Sequence, residues 1–208
     1  MTVTTAQHLA ELFHEGQTRA NGVTPYIEHP KKVAELVEKF GGSEFCIALA
    51  WMHDILEESA DKVKEHFNLK RNIENKDKFY LDMCDIWEHS FIVALCRLSD
   101  HWTSDQDTIK NSGKIAYLAE LLIGGSSDVV LVKLCDMLAN IIESNGSRMN
   151  QETRYFKAIQ CLKMAERKDL DNRHNELITN IEAYYNIHNS RKNSNEEAEQ
   201  VYNKDYGK

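Results

Sequence analysis

The stretch Ala48-Leu49-Ala50-Trp51-Met52-His53-Asp54-Ile55-Leu56-Glu57-Glu58 sets an imidazole and three carboxylates into an apolar run. It has no Gly or Pro and reads as a helix. At about 100° per residue, His53 and Glu57 share one stripe and Asp54 and Glu58 the next. Burying such groups is costly unless they are paired or bound to a metal. His53 beside Asp54 is half of a metal site, or else a hydrogen-bonded pair. Glu57 and Glu58, one turn further on, suit proton transfer with a water.

A second apolar run, Val129 to about Ile142, carries Lys133, Asp136 and Asn140. Steps of three and four residues place them on one helix face. Asp136 needs a partner if buried, and either Lys133 or a metal supplies one. Asn140 either reaches a ligand or bonds a neighbouring backbone group.

The elements that must position these groups are all helical by pattern. A first helix is expected from Thr4 to about Gln17, with Thr4 or Thr5 as N-cap, an Ala6, Leu9, Ala10, Phe13 stripe, and His14 beside it. Arg19 follows in a Gly- and Asn-containing loop. Pro30 suits the start of a helix that runs to about Phe40 and stops at Gly41-Gly42, which puts His29 at its N-terminus. Ser43 caps the central helix. Further helices are expected over about 61–67, 79–98, 109–123, 152–165 and 170–187. The charged segment Asn68 to Lys78 reads as a mobile insertion or lid. From Asn189 the composition turns polar, and a dispensable, disordered tail is expected over 189–208.

With only two prolines, Pro25 and Pro30, the chain reads as an all-α, compact multi-helix bundle forming a single domain over residues 1–188. Hydrophobic residues at 42% and charged residues at 28% suit a globular protein. The scattered Cys46, Cys84, Cys96, Cys135 and Cys161 show no metal-ligand spacing, read mostly as small buried hydrophobes, and suit a reducing cytoplasm. No apolar stretch is long enough to span a bilayer, and no signal peptide is apparent. The net charge of −8 argues against a nucleic-acid partner while leaving room for a small anionic substrate. His8, His66, His89, His101, His174 and His188 fit no ligand pattern, and Trp51 reads as core.

Four ordered segments carry a resemblance. His14, Gly16-Gln17 and Arg19 form the first. Gly22, Pro25-Tyr26-Ile27 and His29-Pro30 resemble a "G-x-P-Y-x-x-H-P" segment, and Val33-Ala34 follows. Ala50 to Glu57 resembles "A-x-L-H-D-x-x-E-D", and Val132 to Asn140 resembles "V-K-L-A-D-R-L-x-N". Over roughly residues 6 to 165 the chain resembles the HD-domain phosphohydrolases. Within them it is most similar to the RelA/SpoT-like hydrolase domain and the small stand-alone alarmone hydrolases.

The resemblance implies one divalent metal per chain, usually manganese, held by His29, His53, Asp54 and Asp136. It implies Glu57 and Glu58 as catalytic acids, and substrate contacts from His14, Arg19, Tyr26, Lys133 and Asn140. The implied reaction is hydrolysis of guanosine 3′,5′-bis(diphosphate), or the pentaphosphate, at the 3′ position with release of pyrophosphate. Glu58 stands where the family has Asp, Met137 where it has Arg, and the segment from Asn68 to Phe91 matches poorly. An HD-type phosphatase acting on another nucleotide and a non-catalytic nucleotide-binding module are the alternatives.

Overall fold

The protein is described by a computed structural model covering residues 1–69, 81–99 and 113–206, with side chains as far as residue 194. Its numbered helices are α1 (Val3–His14), α2 (Glu28–Lys39), α3 (Glu44–Met52), α4 (Ile55–Glu58), α5 (Ala60–His66), α6 (His89–Leu98), α7 (Lys114–Gly124), α8 (Ser127–Ser144), α9 (Met149–Met164) and α10 (Asn172–Tyr206). Among the described residues the only β pairing is an isolated bridge, Thr18 to Pro25. The fold is an all-α bundle. Most of the 68–78 segment, His101, and the start of the helix expected at 109 lie outside the described residues.

α8 is the axis. Ser126 caps it by accepting from the Val129 amide, and Asn145 ends it in the left-handed region at φ 43°. Between the caps Val129 to Val132, Leu134, Cys135, Met137 to Ala139 and Ile141 are buried. A helix apolar all round belongs in the middle of a protein, and α8 packs against α2, α3 and α10. α3 is equally apolar, capped by Ser43, and packs against α1 and α2. The polar stripe on α8 therefore faces the ends of α2 and α3, where the histidines lie.

The central helix is not continuous. α3 stops at Met52, and α4 starts at Ile55. His53 donates its Nδ1 hydrogen to the Ala50 carbonyl at 2.7 Å. That carbonyl is the acceptor the Asp54 amide would use in an unbroken helix, so the side chain competes for it. Other boundaries move as well: α1 ends at His14, and the helix expected over 79–98 is interrupted at residues 85–88. α1 starts at Val3 with Thr2 as cap. α2 starts at Glu28, ahead of Pro30. α9 starts at Met149. Trp51 is core, as expected. Cys46 and Cys135 are buried, while Cys84, Cys96 and Cys161 are only half-buried.

The tail expected to be disordered from Asn189 is helical as far as Tyr206. Its composition argues against a core, not against a helix. Glu, Ala, Gln and Lys are good helix formers, and extending a helix that is already packed needs no new nucleus. The packed part is anchored by Leu177, Ile178 and Ile181. A chain ending at Ser194 should keep the melting temperature of the full chain; a clear drop would show that the last turns pack.

Two buried histidines brace α10. His174 Nδ1 lies 2.9 Å from Asp171 Oδ1, and its Nε2 lies 3.3 Å from Ser127 Oγ and 3.0 Å from the Ser127 carbonyl. The set looks like a Ser-His-Asp nucleophile system. The carbonyl contact requires a hydrogen on Nε2, which cannot then take the serine proton, so the set is a clamp. His188 Nδ1 donates to Glu152 Oε2 at 2.8 Å, and Ser144 donates to Glu152 Oε1. Glu152 is 1% exposed. Glu152→Ala orphans two buried donors and should cost about 2 kcal/mol or more in denaturant unfolding. An unchanged midpoint would show the pair to be incidental.

Candidate metal centre

His29 enters from the first turn of α2, His53 from the break after α3, and Asp136 from the middle of α8. One nitrogen or oxygen of each lies within 4.8 Å of the others. His29 Nε2 is 3.1 Å from Asp136 Oδ1 and 3.7 Å from Asp54 Oδ2. His53 Nε2 is 3.8 Å from Asp136 Oδ1 and 3.1 Å from Asp54 Oδ1. Asp54 stands just outside the group of three, and Tyr26 donates to its Oδ2 at 2.8 Å. Burial pushes the Tyr26 phenol up, as does the Asp54 charge, so the hydroxyl keeps the hydrogen it donates.

The histidines carry the test of fit. His53 uses Nδ1 as donor to Ala50, so neutral His53 presents a lone pair on Nε2. That Nε2 is buried and makes no hydrogen bond, although carboxylate oxygens surround it. A lone pair among carboxylates is repulsive unless a proton or a metal ion lies between them, and the same nitrogen can take either. His29 Nδ1 lies 3.1 Å from Glu143 Oε1. A carboxylate on the far nitrogen is how a ligating histidine is usually oriented. The donor set of two imidazoles and carboxylates suits a divalent transition ion.

The charges are balanced without such an ion by protons and Lys133. Lys133 Nζ lies 2.8 Å from Asp136 Oδ2. Burial alone would lower the ammonium's pKa, but Asp136 raises it well above the ordinary value. Burial alone would raise the Asp136 carboxyl, but Lys133 and the His29 hydrogen bond hold it well below the usual range. Asn140 Nδ2 adds a 2.6 Å bond to Asp136 Oδ1. For His29, burial works against the charge, but Asp136, Glu143 and Asp54 outweigh it and raise the imidazole to about 9. Lys133→Met leaves Asp136 short of its nearest cation. It should cost on the order of 3 kcal/mol in the metal-free protein, with part regained when metal is added. Equal loss with and without metal would separate Lys133 from the centre.

The centre opens into a cavity of about 240 Å³ lined by Arg19, Tyr26, Glu57, Lys133, Asn140 and Tyr155 among others. Arg19 is held by a turn in which its amide bonds the Thr24 carbonyl at 2.8 Å and Asn21 bonds the Val23 and Thr24 amides. Its guanidinium reaches Asn140 Oδ1 at 3.1 Å and Glu143 Oε2 at 2.8 Å, and lies over the Tyr26 ring.

Three expected site residues do not line this cavity: His53, which is buried within the metal group, His14 and Glu58. His14 stacks on Tyr26 with ring centroids 4.7 Å apart and donates from Nδ1 to Gln17 at 2.7 Å. It is a buried support behind Tyr26, with its pKa lowered mainly by burial. Glu58 is exposed and does not line the cavity, and Gln17 donates to its backbone carbonyl. Glu57 and Glu58 are neighbours in α4, about 100° apart around its axis, and only Glu57 lines the cavity. Met137 is fully buried in the core, so its departure from the family pattern does not touch the cavity. Glu143 was missed, although it continues the Lys133, Asp136, Asn140 stripe by three residues. Arg148, Gln151, Arg154 and Tyr155 were missed as well; α9 shows no polar stripe in an apolar run, so nothing local marked them.

No helix of the described residues is long and apolar enough to cross a membrane. A scan of the chain against protein-family models finds no match, and a search among curated proteins finds no significant relative. What the chain does must therefore be argued from the chemistry of this centre.

Proposed function

We propose that this chain is a divalent-metal-dependent phosphohydrolase, with manganese as the working ion and guanosine 3′,5′-bis(diphosphate) or the pentaphosphate as substrate. The observation that carries the metal half is the buried, unbonded His53 Nε2 facing Asp54 and Asp136, 4.8 Å or less from its neighbours' ligand atoms. The substrate half rests on the likeness of the four motif segments to alarmone hydrolases. The cavity's lining of Arg19, Lys114, Lys133, Arg148 and Arg154 around a carboxylate-histidine floor supports an anionic, phosphorylated substrate.

In this reading His29, His53, Asp136 and Asp54 hold the ion. When bound, it supplies Lewis-acid polarisation of a phosphoryl group and acidifies a water. Glu57, on the cavity wall, accepts the proton of the attacking water. Lys133 and Asn140 hold Asp136 in place. Tyr26 fixes Asp54. Arg19, clamped by Glu143, offers its remaining donors to phosphate or base.

The assay is incubation of purified protein and Mn²⁺ with a panel of nucleotides, with products resolved by anion exchange. GDP and pyrophosphate from the bis-diphosphate are expected. Orthophosphate released from other nucleotides instead would move the protein to another phosphatase specificity. No turnover of any nucleotide, with metal bound, would leave only a binding module.

A further inference from the structure

The metal cavity has a larger neighbour. Where α8 gives way to α9, a groove of about 790 Å³ opens beside α10. Arg148 and Arg154 line both this groove and the metal cavity. Arg191 and Lys192, from α10, add further cations, and among the described residues no Asp or Glu lines it. In a chain of net charge −8 this wall reverses the local sign.

The groove is shaped by buried chemistry rather than by loose surface lysines. Asn145 and Gly146 take φ of 43° and 85°, which turns the chain sharply out of α8. Gly146 lies flat against His188, where a Cβ would stand 3.4 Å from the ring. His188 is 4% exposed yet lines the groove. Its Nδ1 is committed to Glu152 at 2.8 Å, which fixes the ring. The first residues of α9 line the same space, and the amides of a first helical turn favour an anion.

The geometry points to a second binding site, separate from the metal centre, for an oligophosphate, free or carried on a nucleotide. Guanidinium groups pair with phosphate oxygens through parallel hydrogen bonds, and a space of this size with cations along it suits a chain of phosphates better than a single small anion. An occupant that engages Arg148 and Arg154 draws on the same charge those residues offer to the metal cavity, so the two sites are coupled through them. The choice of phosphate as the anion rests on the phosphohydrolase reading; the groove and its charge do not.

The test is calorimetric titration of full-length protein with pyrophosphate in EDTA, repeated with GDP. The wild type should bind pyrophosphate. Arg191→Ala/Lys192→Ala, at exposed positions, should keep its melting temperature and bind about tenfold more weakly or worse, the equivalent of about 1.4 kcal/mol. His53→Ala should bind like the wild type. Tighter binding of GDP, weakened in the same double variant, would assign the site to nucleotide-borne phosphate. No binding by the wild type overturns the proposal, as does equal affinity in the double variant or loss of binding in His53→Ala. Because no turnover is measured, a protein that binds here but hydrolyses nothing would defeat the hydrolase reading and leave the groove standing.

Discussion

Glu57→Gln should lower turnover of the guanosine bis-diphosphate by about 10² to 10⁴-fold, with metal content and melting temperature unchanged. Glu57 lines the cavity together with His29, Asp54 and Asp136. It is absent from the group whose ligand atoms converge. In the proposed reading a carboxylate on that wall serves a water near the ion rather than holding the ion. Gln keeps the size and the hydrogen-bonding reach but does not accept a proton at neutral pH. Glu58→Gln provides the contrast. Glu58 is exposed and off the cavity wall, so its loss should change turnover far less. Near wild-type turnover in Glu57→Gln would remove Glu57 from the chemistry. Equal losses in the two variants would bring Glu58 into the chemistry beside Glu57.

His53→Ala should empty the site of metal, read by elemental analysis of protein purified without chelator, and should abolish turnover with it. The variant removes one lone pair and leaves the Asp136 contacts with Lys133, His29 and Asn140 in place, so the fold should survive. Asp136→Ala should also lose the metal, and it should destabilise the protein as well, because Lys133 is then left buried without its carboxylate. Glu143→Gln should weaken metal binding by about 10 to 100-fold without ablating it, as expected for a group that orients a ligand from behind. Metal uptake should also depend on pH in a definite direction. His29 is raised to about 9 in the metal-free protein, so at neutral pH a proton occupies the nitrogen that the ion needs. Apparent affinity should therefore rise about tenfold per pH unit up to about pH 9 and level off above it. A flat profile between neutrality and pH 9 would show that His29 does not bind the metal.

The sequence and the structure agree most where the signal was a polar group forced into an apolar element. Asp136 in α8 and His53 after α3 are conspicuous for that reason, and the structure brings them together with His29 over more than a hundred residues of chain. The all-α architecture was legible because two Pro and long runs of period 3.6 leave little else. The break at His53 was not legible. It depends on an imidazole taking a backbone carbonyl, and the letters His-Asp in an apolar run look the same whether or not that bond forms. His14 was drawn toward the cavity by its motif, while its partners, Tyr26 and Gln17, hold it one layer behind. Arg154 lies in an ordinary amphipathic helix and Arg148 just ahead of it, and only the folded structure shows that both line the cavity. The helix after Asn189 was missed because composition was read as evidence about structure when it spoke only to burial.

The most direct measurement is anomalous diffraction from crystals grown with Mn²⁺, recorded near the manganese edge. A single strong peak about 2.0–2.3 Å from His29 Nε2, His53 Nε2 and a carboxylate oxygen of Asp136, with an Asp54 oxygen turned toward it, is the result expected here. A structure with manganese in the buffer and no peak among these residues, or with the peak elsewhere, would contradict it.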